Sequence, residues 1–408
     1  MTVTAKLRNG KTAPHVVMLL SNCFDPDPRV HNEARTLVEM GYRVTIVAWD
    51  RERICPASET IDGIQVERVF ARSTHGRGFM QMFVMPRVFF LMIKKALSLD
   101  FDAVHAHDFD TLPAGLLLGW FKRKPVVYDS HEDYAGMLHG SLPGWLEKLI
   151  RWTETRLIRR VDLLLTVGET LRKQFEMRGC RNAQILGNWK PVEEFKFPHT
   201  VQSQVRAELG VPPGSLLVLY ISNLGKERHV EELLEAASQR PNVHVVVGGS
   251  GPGATTAQQY AAQHSNIRYL GFVQQRDVPR YTAACDVVYY GFDVTSPNAQ
   301  YSAPNKLFEA LAAGRPLLTA QFGEIGRIVS EAGCGVILRD YSVAEILRGL
   351  DRCQDAALME SMKARAARAG QQEYNWDRAR QVLLAAYGEL IPRQMADERP
   401  QVHEVAAR

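Results

Sequence analysis

Polar residues suited to chemistry gather in short clusters, each just after an apolar run. Val126-Val-Tyr-Asp-Ser-His-Glu-Asp133 ends in Asp129, His131, Glu132 and Asp133. Glu132 or Asp133 there is suited to act as a base, and His131 to bond a substrate hydroxyl. The plainer reading is the capped start of a helix. Tyr220-Ile-Ser-Asn-Leu-Gly-Lys-Glu-Arg228 brings Lys226 and Arg228 to the gap between a strand and a helix. Cations are unfavourable at a helix start, whereas a guanidinium fork matches a diphosphate. Ala303-Pro-Asn-Lys-Leu-Phe-Glu-Ala-Leu-Ala-Ala-Gly-Arg-Pro316 reads as a helix that Gly314 terminates. Its first amides, at Asn305, Lys306 and Leu307, suit a phosphate. Glu309 lies one turn inside and suits a ribose diol, although an acid near a helix start is also ordinary dipole chemistry.

Three further clusters are more ambiguous. Ser21-Asn-Cys-Phe-Asp-Pro-Asp-Pro-Arg-Val30 has no glycine, which argues against a dinucleotide fingerprint, G-x-G-x-x-G, at this position. Asp25, Arg29 and His31 flank a helix start where Arg29 and His31 can meet an anionic ligand. Alternatively, Asp27 caps the helix and Pro28 stiffens its first turn. Phe101-Asp-Ala-Val-His-Ala-His-Asp-Phe-Asp110 holds two histidines and three aspartates, with Asp108 and Asp110 in a D-x-D pattern. Strand alternation puts His105 and His107 on one face, which favours a structural role over a metal. Asp110 suits a helix cap. Val247-Gly-Gly-Ser-Gly-Pro-Gly253 lacks the Walker pattern. Gly249 and Gly251 there signal close approach of the backbone, either to a ligand or to a neighbouring segment.

Elements that position such clusters recur along the whole chain. Strands are expected at 15–21, 43–48, 64–70, 103–106, 125–128 and 163–167. The pattern restarts after Trp189 with 216–222, 243–247, 267–270, 287–290 and 316–319. Many of these runs are apolar throughout, as in parallel strands covered on both faces. Helices are expected between them, among others at 28–40, 230–238 and 306–313, and later at 342–374 and 377–390. This is an α/β chain of two doubly wound, Rossmann-like domains, 1–190 and 191–374. A terminal helix at 375–391 and a frayed tail at 392–408 complete it. Ligands of wound sheets bind beyond the carboxyl ends of the strands, where the clusters lie.

Composition narrows the function. The chain has 408 residues, 49 Lys+Arg and 45 Asp+Glu, for a net charge of +4. Hydrophobic residues at 46% and charged residues at 23% are ordinary for a globular protein. Residues 1–190 hold 27 basic and 21 acidic residues. That excess suggests phosphate or membrane-surface contacts and is too small for nucleic acid. No apolar run reaches the ~18 residues of a membrane span, and the first apolar run is too short for a secretory signal. Six scattered cysteines without C-x-x-C predict reduced cytoplasmic thiols and no zinc. Residues 76–99 and 145–160 interleave cations with aromatic and aliphatic residues. They read either as helices lying on the inner face of an anionic membrane or as core helices with snorkelling cations.

The clusters, taken together and in order, resemble family 4 glycosyltransferases of the GT-B fold. The matching segments are Asp27-Pro-Arg-Val-His-Asn-Glu-Ala-Arg35, Tyr128-Asp-Ser-His-Glu132, Gly248-Gly-Ser-Gly-Pro252 and Pro304-Asn-Lys-Leu-Phe-Glu309 with Gly314-Arg-Pro316. The resemblance implies an acceptor domain, then a nucleotide-sugar domain, and a last helix that crosses back to the first domain. It implies a UDP-, GDP- or dTDP-sugar donor, a glycan or lipid-linked acceptor, retention of anomeric configuration, and neither metal nor cofactor. His131, Arg228 and Glu309 become the catalytic candidates. Asn223, Lys226, Gly249, Gly251, Gly271, Val273, Asn305, Lys306 and Leu307 fall on the donor side, and Asp25, Arg29, Asp108 and Glu132 on the acceptor side. Two positions depart from the pattern: Tyr301 stands where the first glutamate of E-x7-E belongs, and Asn223 where a cation is usual. A sugar-nucleotide epimerase or hydrolase of the same fold, or an impaired scaffold, is the alternative.

Overall fold

The computed structural model describes residues 13–25, 27–73 and 78–391. The tail at 392–408 and the positions 76 and 77 of the first amphipathic stretch lie outside these residues. The first half runs β1 (His15–Leu20), α1 (Pro28–Glu39), β2 (Arg43–Asp50), β3 (Ser58–Ile61), β4 (Ile64–Phe70), α2 (Gly78–Leu97), β5 (Ala103–His107), α3 (Leu112–Lys122), β6 (Val126–Ser130), α4 (Tyr134–Met137), α5 (Gly144–Leu157), β7 (Leu163–Thr166), α6 (Glu169–Met177) and β8 (Ala183–Ile185). Its eight strands lie in the order β3-β4-β2-β1-β5-β6-β7-β8. All pairs are parallel except β3 with β4.

The second half runs α7 (His199–Glu208), β9 (Leu216–Ile221), α8 (Val230–Ser238), β10 (Val243–Gly248), α9 (Ala254–Gln263), β11 (Ile267–Tyr269), α10 (Val278–Ala284), β12 (Val287–Tyr289), α11 (Asn305–Ala312), β13 (Leu317–Ala320), α12 (Gly323–Ala332), β14 (Gly335–Leu338), α13 (Val343–Cys353), α14 (Ala356–Gln372) and α15 (Trp376–Leu390). Its six strands, in the order β11-β10-β9-β12-β13-β14, form a wholly parallel sheet.

The apolar runs become central strands because they can be covered on both faces; every residue of β1 and β9 is buried. Short or polar strands gave no such signal, and β3, β8 and β14 were not expected. The helix expected over 342–374 is two helices. Asp355 breaks it by accepting from the Leu358 amide at 3.0 Å, which makes it the N-cap of α14. Asp27 does cap α1, with Pro28 in its first turn. Asp110 does not cap α3, whose N-cap position is Thr111.

One face of the first sheet carries Val16, Met18, Ile46 and Leu165, and α15 seals it with Trp376, Leu383 and Tyr387. Trp376 Nε1 donates to Thr36 of α1 at 3.1 Å. The other face is covered by α2 through Val88, Met92 and Ala96. A third apolar cluster fills the second half and continues into the first through Tyr128, Leu164 and Phe175. The two sheets therefore share a core and clasp a cleft between them.

Candidate active site in the interdomain cleft

The cleft has a volume of about 750 Å³ and is lined from both halves by residues that follow strand ends. From the first half come His131 and Glu132, just past β6. His131 is held on three sides. Its Nε2 lies 2.9 Å from Asp129 Oδ2, its Nδ1 3.3 Å from Asp108 Oδ2, and its backbone amide donates to Asp108 Oδ1 at 3.1 Å. Burial alone would lower its pKa, but Asp108 and Asp129 overcome that and push it up to about 10. His131 is therefore a fixed imidazolium at neutral pH. It donates protons in hydrogen bonds and is no general base.

Beneath His131 lies a buried polar chain. Asp129 pairs with Arg29, which also meets Glu33 at 3.1 Å, the Leu186 carbonyl at 2.7 Å and Asn188 Oδ1 at 3.1 Å. His105 and His107 stack with ring centroids 4.3 Å apart, on one face of β5 as alternation requires. His105 Nδ1 lies 2.9 Å from the Tyr387 hydroxyl on α15. Glu33, His105, His107 and Asp129 offer ligand atoms within 4.8 Å of one another. Arg29 already brings a cation to both carboxylates of that group. Burial, and then Asp129, push the Glu33 pKa well up, while Arg29 pulls it down.

From the second half come Asn223, Arg228, Gly249, Val273, Asn305, Lys306 and Glu309. Arg228 Nη1 donates to the Tyr290 hydroxyl at 2.6 Å, and its guanidinium lies 4.7 Å from the Phe292 ring centroid. Aromatic walls thus hold the fork at the cleft. Pro304 opens α11, and no side chain caps that helix. Lys306 Nζ bonds Glu309 Oε2 at 2.5 Å. Burial would raise the Glu309 pKa, but Lys306 and Lys190 hold it below the usual value, so it stays a carboxylate. The Gly-rich turn is tight for an internal reason. At Gly249 (φ 136°) a Cβ would come within 1.8 Å of the Ser222 carbonyl oxygen. The neighbouring segment, rather than a ligand, makes the close approach.

Several expected positions lie elsewhere. Arg29 does not reach the cleft; it is buried on Asp129 and Glu33, because a guanidinium enclosed beside two carboxylates is held by them. Asp108 grips His131 instead of lining the cleft. Asp25 is exposed away from the lining. Lys226 lines a separate recess with Glu231 and Glu232, on the far side of its 3-10 turn. The Leu307 side chain is core, and its amide donates to the Pro304 carbonyl at 3.1 Å. Gly251 and Gly271 also stand back from the lining, and the Gly271 carbonyl accepts from Gly249 at 2.7 Å. Tyr301 is half-buried near Asp133 and Arg151.

Other lining residues gave little sign in the sequence. Lys190 is buried, and its Nζ donates to Asn305 Oδ1 at 2.8 Å. Asn188 donates to the Ala303 carbonyl at 3.0 Å, and Asn298 donates to Glu132 at 2.7 Å. All three bonds cross between the halves. A lone lysine between Trp189 and Pro191 was the only hint. Phe272, 76% exposed, projects from the rim.

Comparison with known proteins decides the family. Residues 26–189 match the model of the glycosyl transferase 4-like domain, and residues 201–372 match that of glycosyl transferases group 1. The chain is a family 4 glycosyltransferase of the GT-B fold. Among its curated relatives, the Mycobacterium tuberculosis glycogen synthase is 25% identical over 70% of this chain and 69% of its own. An uncharacterized glycosyltransferase of Methanocaldococcus jannaschii is 24% identical over 87% and 91%. Among solved structures, sucrose-phosphate synthase from Thermosynechococcus elongatus superposes with a TM-score of 0.75 at 15% identity, over 92% of this enzyme and 99% of that chain. HepE of Anabaena in complex with UDP-glucose superposes with 0.68 at 17% identity, over 92% and 99%.

Proposed function

We propose that this glycosyltransferase moves a sugar from a nucleoside diphosphate sugar to a hydroxyl of a glycan or lipid-linked acceptor, in the synthesis of a surface polysaccharide or glycolipid. The observation that carries the reading is the set of cations that both halves bring to the cleft. Arg228 and Lys306 stand on the second half, and the imidazolium of His131 stands on the first. A diphosphate leaving group gains negative charge as its bond to the anomeric carbon breaks, and fixed cations aimed at that charge lower the barrier. In the step, the electron pair of the C1–O bond stays on the diphosphate. The acceptor oxygen bonds to C1, and its proton passes to the departing phosphate oxygen. Attack on the face that the diphosphate leaves retains configuration, as the family resemblance implies, and side-chain cations in place of a metal carry the charge.

In this reading Glu309, ionised and braced by Lys306 and Lys190, binds the ribose hydroxyls. The backbone at Val273 and the exposed ring of Phe272 receive the base. Glu132 faces the acceptor side, with the acceptor in the first domain and the donor in the second. Among the described residues no helix is long and apolar enough to cross a membrane. A cytoplasmic enzyme resting peripherally on the inner face of the membrane fits the exposed aromatic and basic side chains of α2 and α5.

A thermal-shift screen against UDP, GDP and dTDP tests the donor, since a ligand that binds only the native state raises its apparent stability. One of the three should stabilise the wild type and lose its effect in Arg228→Ala. No shift with any nucleotide would reject the site.

A further inference from the structure

The cysteines are scattered in the sequence, yet the fold brings two of them together beyond the carboxyl ends of the adjacent strands β1 and β2. Cys23 lies in the loop after β1, and Cys55 in the loop between β2 and β3. Both are half-buried, whereas Cys180, Cys285, Cys334 and Cys353 are buried. The side chain of Cys23 meets that of Cys55. Burial, and then Cys55, push the Cys23 thiol up to about 11. Neither thiol lines the cleft.

One guanidinium laces the two loops. Arg68 of β4 is buried and donates from Nε to the Cys23 carbonyl at 2.7 Å, from Nη2 to the Phe24 carbonyl at 3.1 Å and from Nη1 to the Pro56 carbonyl at 2.8 Å. Three carbonyls on one planar fork bring the backbone at 23–24 against that at 56, which is the proximity a disulfide requires. Arg51 adds a bond from Nη2 to the Ser21 carbonyl at 3.2 Å. Asp50, at the end of β2, fixes the second loop. Its Oδ1 accepts from the Arg53 amide at 2.8 Å, and its Oδ2 from the Cys55 amide at 2.9 Å. Phe24 and Arg53 both hold the left-handed conformation, with φ 52° and 60°. Such backbone persists only where its surroundings hold it, so the frame that carries the two thiols is rigid.

We propose that Cys23 and Cys55 form a reversible disulfide, and that the bridge locks the loop after β1 at the first-domain rim of the cleft when low-molecular-weight disulfides accumulate. In the exchange, the Cys55 thiolate attacks one sulfur of the external disulfide. That bond breaks, and the other half leaves as a thiolate. The Cys23 thiolate then attacks the Cys55 sulfur and expels the second half. The cysteine pair gives up two electrons and two protons, and the external disulfide becomes two thiols. Cys55 reacts first because its neighbours Ile54 and Pro56 are exposed, whereas Cys23 is followed by the buried Phe24. Pro28, which lines the cleft, opens the helix into which the locked loop feeds. The bridge closes a loop of the chain, so it restrains the unfolded state and stabilises the native one. In a reducing compartment such a pair is a sensor and not a permanent staple. The proposal stands apart from the transferase reading.

Oxidised glutathione, incubated with the full chain, is the probe, and dithiothreitol reverses it. Peptide mass mapping should show one bridge, from Cys23 to Cys55, with the four buried cysteines still free to alkylate after unfolding. The oxidised chain should melt at a higher temperature than the reduced one. Its amides at 21–25 and 52–55 should exchange with deuterium at least threefold more slowly, because the bridge suppresses local opening. Cys23→Ser should stop at a glutathione adduct on Cys55 and show neither change. Cys55→Ser, at a half-exposed position, should form no bridge and keep the thermal midpoint of the reduced wild type. A lasting glutathione adduct on the wild type, a bridge through any other cysteine, or an oxidised chain that melts and exchanges like the reduced one would each overturn the proposal. Nucleotide binding is measured separately. A chain that forms the bridge but binds no nucleoside diphosphate would sink the transferase reading and leave the disulfide standing.

Discussion

Arg29 lays two arms of its guanidinium on Asp129, 100 residues further along the chain: Nε to Oδ2 at 2.8 Å and Nη2 to Oδ1 at 2.6 Å. Both side chains are buried, so the pair joins α1 to the end of β6 directly under the cleft. Asp129 Oδ2, which accepts from Arg29 Nε, also meets His131 Nε2 at 2.9 Å. A residue expected to touch ligand instead anchors His131, which lines the cleft.

Removing one partner of a buried pair strands the other charge. Arg29→Met should therefore destabilise the enzyme by about 3–5 kcal/mol. Urea unfolding measures it, read as a lowered midpoint at unchanged slope. Arg29→Met combined with Asp129→Leu should cost less than the sum of the single changes. Strict additivity would mean that the pair is not coupled.

The imidazolium of His131 predicts a pH signature. Its pKa is raised from 6.5 to about 10 on folding, so its stabilisation is complete below pH 6.5 and is lost as pH rises through 10. Asp108→Asn removes one cause of the shift. The stability gap between wild type and variant should therefore be widest below pH 6.5 and close towards pH 10. Proton NMR of the imidazole should show no His131 titration between pH 6 and 8 in the wild type, and a downward-shifted one in the variant.

Arg228 should matter for rate more than for folding. Arg228→Ala is expected to lower kcat/KM at least tenfold, and Arg228→Lys to recover only part, since an ammonium lacks the fork. Tyr290→Phe removes only the hydroxyl that aims the guanidinium. A fall of several-fold in kcat with little change in thermal midpoint is expected from steady-state kinetics.

Lys190 bonds Asn305 at the start of α11 and helps keep Glu309 ionised. Lys190→Met should raise the KM for the donor several-fold, because the carboxylate loses a neighbouring cation while Lys306 remains. Glu309→Gln should act in the same direction and more strongly. Donor titrations of the two variants rank them, and an unchanged KM in both would exclude the ribose role of Glu309.

Membrane contact is checked by flotation with vesicles. Wild-type enzyme should float with vesicles that contain phosphatidylglycerol and stay down with purely zwitterionic ones, and added salt should release it. Lys148→Glu with Arg156→Glu should abolish the flotation. Salt-independent or absent binding would leave those cations as ordinary solvated charges.

The fold was largely legible because central parallel strands must be apolar on both faces. Leu216–Ile221 and His15–Leu20 announce themselves for that reason. The edge strand Ser58–Ile61 alternates exposure and looks like loop. That Arg228 and Glu309 line the cleft was legible, because local spacing carries the signal. The role of Arg29 was not, since its partners come from α1 itself, from β6 and from the segment at 186–188. No single stretch of sequence displays a pairing across 100 residues. Lys226 was misplaced because a 3-10 turn separates neighbouring cations, sending Arg228 to the cleft and Lys226 to the opposite recess.

The last helix closes the first domain: Trp376, Leu383 and Tyr387 complete a core whose other members are made some 200–350 residues earlier. During synthesis that face of the first sheet has no cover until Trp376–Leu390 leaves the ribosome. At about 5–20 residues per second the wait after β8 is of the order of ten seconds or more. For that interval an apolar sheet face, and the histidine-lined polar chain beneath it, is open to chaperones and to premature partners. A message truncated before codon 376 would yield a chain whose second domain is whole and whose first domain cannot close.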